Sequence, residues 1–168
     1  MHPKQILLIV LVGLAGCGET GQAKGDQPNP GGWLLADKDQ DDRFALIQRQ
    51  FRGFDQPMWE VGERYVKLHE ALERENPELA AYHWEKIKTT IENGVEKRPA
   101  RGANAELFLL GGPWAEIHAD LRSGERKRAW AGFDRARAAC QACHEAEGVA
   151  YMNDQSIFDL AGPETAAR

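Results

Sequence analysis

Cys140, Cys143 and His144 form a C-x-x-C-H run. Thiols at that spacing add across the two vinyl groups of a porphyrin, and the histidine that follows offers an imidazole to the iron. The run therefore reads as a c-type haem attachment signature. On a helix, Cys140, Cys143 and His144 project towards one side, because residues three and four apart share a face. Two other uses of paired cysteines fit less well. A thioredoxin-like pair opens a helix in an α/β setting, and nothing in the chain reads as βαβ. A structural zinc site needs a second pair of ligands, and there is no second cysteine pair. Cys17, the only other cysteine, is accounted for by the leader, so none is left for a structural disulfide.

Four helical stripes stand ready to position this run. After a short amphipathic helix carrying Phe44, Ile47, Phe51 and Phe54, a first long helix starts near Pro57. Its inward stripe is Met58, Val61, Tyr65, Leu68 and Leu72. Asn76-Pro77 caps and opens a second, with Ala80, Trp84, Ile87, Ile91 and Val95 inward. A third carries Leu107, Leu110, Trp114, Ile117 and Leu121, and Pro113 is expected to kink it without ending the stripe. The fourth runs from about Glu125 through Trp130, Phe133, Arg137, Cys140 and His144, with Gly148 as its stop. No stretch alternates with period two. The expected fold is all-α: an antiparallel up-down-up-down four-helix bundle with a short extra N-terminal helix.

The N-terminus reads as an export signal. Lys4 precedes an apolar stretch over residues 6–12 that is too short to span a bilayer stably, and Leu14-Ala15-Gly16 leads into Cys17. That ending resembles the lipobox of bacterial lipoproteins. The resemblance implies cleavage after residue 16, acylation of Cys17 and, from Gly18, sorting to the outer membrane. Two or three acyl chains anchor stably where one does not. Residues 17–38 then form a flexible Gly- and Pro-rich tether, residues 39–161 the helical domain, and residues 162–168 a frayed tail. Net charge is −5, or −6 once Lys4 is removed with the leader, which argues against nucleic-acid binding.

An up-down-up-down order brings the end of the fourth helix, and hence His144, beside the start of the first. Met58 then lies at the level of the haem and could supply a thioether opposite His144, or fill a gap as a core methionine. Met152 needs a tight reversal to reach the iron. His69 lies roughly 16 Å further along than Met58 by helical rise, and His83 and His118 fall towards the far end, as core or surface histidines. Arg98 or Arg101, in the basic turn at the haem end, could pair with the haem propionates. The short leading helix is expected to cover the haem, and Tyr151, Ile157 and Phe158 its proximal edge.

The motif at the end of a fourth helix resembles the class II c-type cytochromes, cytochrome c prime and its low-spin relatives. The resemblance spans about residues 55–148 and rests on Cys140, Cys143, His144, the helical stripes and Met58, which stands where low-spin members carry their methionine. It implies a covalent haem c, attached outside the cytoplasmic membrane, in a monohaem electron carrier. The low-spin members carry electrons, whereas cytochrome c prime proper binds small gases such as nitric oxide or carbon monoxide. Members are often homodimers. The lipobox, the extra helix, Pro113 and the longer tail depart from the pattern. The expected protein is thus periplasmic, lipid-anchored and without a catalytic nucleophile of its own. The alternatives are a five-coordinate gas-binding haem protein or the haem subunit of a larger redox complex, and the redox partners are not identified by the residues.

Overall fold

The computed structural model describes residues 39–162. The signal, Cys17 and the tether lie outside the described residues, as do residues 163–168. The chain divides between Arg43 and Phe44, within helix α1 (Gln40–Gln50), and the core and the candidate site lie in the unit from Phe44 onwards. Among the described residues the chain is helical, with no strand.

Helix α2 (Asp55–Glu73) starts two residues earlier than expected, which leaves Pro57 in its first turn, where a missing N–H costs nothing. Its stripe is buried at Val61, Tyr65, Leu68 and Leu72, while Met58 is half-buried and packs on the same core. The helix closes through two bonds, Glu75 N–H to Leu72 O at 3.1 Å and Asn76 N–H to Ala71 O at 2.9 Å. This pattern requires a left-handed residue between them, and Glu75 supplies it at φ 54°. Asn76 then accepts the Leu79 N–H at 2.9 Å and caps α3 (Pro77–Lys97). Ala80, Trp84, Ile87 and Ile91 of α3 are buried as the stripe requires.

The third helical stretch differs from expectation. It is a 3-10 turn (Pro99–Arg101), a short α4 (Gly102–Ala105), a π-helical turn (Glu106–Leu110), then α5 (Gly112–Leu121) after a non-helical Gly111 at ψ −137°. Pro113 has no N–H to continue the ladder, and its ring would collide with the carbonyl four residues before it. The chain widens to a π-turn closed by Gly111 N–H to Glu106 O at 3.0 Å and restarts. The extra residue rotates the stripe. Leu107, expected inside, is 66 % exposed, and Ala105 and Leu109 are buried instead.

Helix α6 (Arg126–Ala146) buries Trp130 and Phe133. It ends in the same two-bond closure as α2, Gly148 N–H to Glu145 O at 3.0 Å and Val149 N–H to His144 O at 2.9 Å, with Gly148 at φ 71°. Helices α2 and α3 pack along each other, as do α5 and α6; α3 meets α5 and α2 meets α6. Trp84, Phe133, Leu68, Ile87, Ile117 and Leu121 are the largest fully buried side chains, each contributing about 1.5–3 kcal/mol relative to exposure. Asp120, buried at the end of α5, takes ion pairs from Arg128 and Arg135 of α6.

Helix α1 corrects another expectation. It buries no residue, and Phe44 and Phe51 are more than half exposed. Phe51, just after the helix, lies under the Lys97 ammonium, which stands 5.7 Å from the ring centroid. Phe54 packs on the core and against Gly94 of α3. A Cβ added at Gly94 would stand 2.9 Å from the Phe54 ring. Gly94→Ala is therefore expected to lower stability by about 1–2 kcal/mol, as crowding of about 1–3 kcal/mol outweighs the gain in helix propensity. Thermal unfolding would measure this, and adding Phe54→Leu should recover part of the loss.

Of the expected tail, residues 162–168, only Gly162 is described. Gly162 is buried, and a Cβ there would meet the Trp130 ring at 3.0 Å. Arg137 donates to Leu160 O at 2.6 Å, and the His69 ring nitrogen Nε2 lies 3.1 Å from Ala161 O. These bonds fold the segment after α6 back along the helices.

Candidate functional site

Cys140, Cys143 and His144 all lie in the last two turns of α6, and each is partly buried. Both cysteines are free thiols. Burial pushes the Cys140 thiol up to about 12, with Cys143 adding to the shift. Burial also raises Cys143, against the lowering influence of Arg101. A reactive dithiol sits at a helix N-terminus with its thiolate favoured; this pair has the opposite position and the opposite tuning. Among the described residues no three His, Cys, Asp or Glu side chains are gathered as a metal-ion site, so a zinc-type cluster has no support there.

His144 is held from behind. Its Nδ1 lies 2.8 Å from Asn153 Oδ1, and the Asn153 amide nitrogen donates to Gln141 O at 3.2 Å. Asn153 comes from a 3-10 turn (Ala150–Asn153), and a second turn (Ser156–Asp159) brings Phe158 edge-on to the imidazole, 5.7 Å between centroids at 85°. Asn153 carries no motif and follows the helix-ending Gly148, so periodicity gave no signal for it. Of the residues expected near the proximal edge, Phe158 is there, Ile157 packs on the core, and Tyr151 is exposed. Met152 is also exposed, with Gln155 donating to its carbonyl at 2.6 Å.

Above Cys140, Tyr65 of α2 stacks on Phe133 with centroids 4.6 Å apart. Its hydroxyl is buried and has no hydrogen-bond partner. Burial, then the nearby Cys140, raise its pKa. The two candidate arginines are both engaged. Arg98 donates to Arg52 O and Lys97 O, each at 2.7 Å, and so ties the turn before α2 to the end of α3. Arg101 pairs with Glu147, which also accepts from Asn104 at 2.8 Å; this joins the end of α6 to the 3-10 turn and α4. His69 and His83 are buried away from the run, and His118 meets Glu85 at 2.8 Å.

The donor set suits a covalently held porphyrin. It offers two free thiols one helical turn apart, an imidazole whose Nδ1 is bonded and whose Nε2 is not, and an orphaned hydroxyl beside the first thiol. Among the described residues no helix is long and apolar enough to cross a membrane. Comparison with protein-family models, curated proteins and solved structures found no match.

Proposed function

We propose that this chain is an exported, lipid-anchored monohaem c-type cytochrome that carries electrons. The observation that carries the reading is the C-x-x-C-H run at the end of a helix, with the His144 Nδ1 engaged and Nε2 left for the iron. Cys140 and Cys143 would hold the porphyrin through thioethers, and His144 and Met58 would ligate its iron. Haem c, when bound, supplies a one-electron Fe(III)/Fe(II) couple; the protein sets its potential through the ligands and burial.

In this reading the long helices form an antiparallel up-down-up-down bundle. Support comes from the ties at one end: Arg98 to the turn before α2, and Glu147 after α6 to Arg101 and Asn104. At the other end Arg126, opening α6, pairs with Glu75, closing α2. Tyr65 stacks on Phe133 and lies near Arg137. Met58 is seven residues before Tyr65, and His144 seven after Arg137. In antiparallel helices both displacements, about 10 Å each, run the same way, bringing thioether and imidazole to one level. Arg101, close enough to lower the Cys143 pKa, is the guanidinium for a propionate, and Arg98 stays with its turn. Acyl chains on Cys17 hold the protein at the periplasmic face of the outer membrane.

Spectra of the oxidised and reduced protein test the distal ligand. The wild type is expected to be low-spin with a far-red methionine–iron band, and Met58→Ala to lose that band. A high-spin wild type that ignores the substitution and shifts under carbon monoxide would replace electron transfer with gas binding.

A further inference from the structure

A neutral imidazole carries its proton on one nitrogen only, and the hydrogen bond to one nitrogen fixes which remains free for a metal. The Asn153 amide nitrogen donates to Gln141 O at 3.2 Å. A flipped amide would set its oxygen against that carbonyl, oxygen to oxygen, so Oδ1 must face His144. At 2.8 Å from Nδ1, an oxygen with no proton can only accept. Nδ1 therefore carries the hydrogen, and Nε2 carries the lone pair. Free imidazole side chains favour the other tautomer, so the bond selects the form a metal needs.

We propose that Asn153 is the positioning residue for this imidazole. It selects the Nδ1–H tautomer of His144, sets the ring's rotation together with Phe158, and tunes electron donation through Nε2. The inference rests on His144 being the haem ligand; Asn153 itself touches neither porphyrin nor iron. Acceptors on the remote N–H of a ligating histidine raise its basicity. A better acceptor therefore favours Fe(III), and its removal favours Fe(II).

Two measurements separate this proposal from the haem assignment. In the full chain produced without haem, nitrogen NMR of His144 is expected to report the Nδ1–H tautomer, reverting to Nε2–H in Asn153→Ala. In the haem-loaded protein the two variants should move the potential in opposite directions. Asn153→Ala should shift the Fe(II)/Fe(III) ratio a few-fold to tenfold towards Fe(II), and Asn153→Asp should shift it towards Fe(III). Tenfold corresponds to 59 mV for one electron. If Asn153→Ala fails to fold, Asn153→Asp, which keeps the acceptor towards Nδ1 but gives up the bond to Gln141 O, decides the question alone. Potentials that are unchanged, or that move the same way in both variants, would overturn the proposal, as would an Nε2–H wild type. A wild type with no covalent haem but the Nδ1–H tautomer would sink the cytochrome reading and leave the positioning intact.

Discussion

The double variant Cys140→Ala, Cys143→Ala is expected to keep its helical content and to lose covalent haem completely. Haem staining of the denatured protein and its mass would read this directly. The loss should be total because both thioether sulfurs go, leaving Cys17, at the other end of the chain, as the only remaining cysteine. The helix should survive because cysteine behaves as a small apolar residue, which alanine replaces at little cost in the last turns of α6. Either single variant should retain haem through one thioether, with the reduced band displaced by the surviving vinyl group. Haem still covalently attached to the double variant would refute the assignment. A second consequence concerns pH. In the haem-free chain, burial moves the Cys140 thiol from an ordinary 9.0 to about 12. Below about pH 9 the thiol is neutral folded or unfolded, and stability is unaffected. Between about 9 and 12 the folded chain binds more protons, so stability falls as pH rises. Cys140→Ala should remove that part of the alkaline loss, and the haem-loaded protein, with a thioether in place of the thiol, should not show it.

The parts of this molecule that could be read from the sequence are those governed by local rules. Val61, Tyr65, Leu68 and Leu72, or Ala80, Trp84, Ile87 and Ile91, recur at helical spacing and are buried as that spacing requires. Asn76-Pro77 and Gly148 mark ends because a cap and a left-handed closure favour those residue types, although Glu75 makes the same closure after α2. The reading failed where a local rule had two solutions. Pro113 forbids a continuous α-helix, and the chain answered with a π-turn and a break at Gly111, which exchanged Leu107 for Leu109 in the core. The Phe44 stripe is amphipathic, but amphipathicity names a face and not the surface that covers it. Asn153 illustrates the remaining limit. Its bond to His144 depends on the path of an irregular tail, fixed by Arg137 to Leu160 O and His69 to Ala161 O. No spacing in the sequence encodes that path.

Phe133→Ala is expected to produce the largest loss of stability among single core substitutions near the site. Phe133 is 0 % exposed. It stacks on Tyr65 at 4.6 Å, lies tilted to His69 at 5.3 Å, and meets Trp130 edge-on at 5.7 Å. Removing the ring costs the transfer of its carbons and leaves a cavity that these three rings cannot close, because each is held elsewhere: His69 at Ala161 O, Trp130 under Gly162, Tyr65 against Phe158. Truncations of this kind cost about 3–5 kcal/mol, a large share of the total stability of such a domain, about 5–15 kcal/mol. The melting temperature should fall by about 10–20 °C. Phe133→Leu, which keeps most of the volume, should lose much less. The comparison also probes the site. Tyr65 depends on Phe133 for one face and stands beside Cys140, so the alanine variant loosens the wall behind the first thiol while leaving Cys140, Cys143 and His144 in place. Haem attachment at normal yield with a lowered melting temperature is the expected result. An unchanged melting temperature would mean that the α2–α6 contact does not hold this part of the core together.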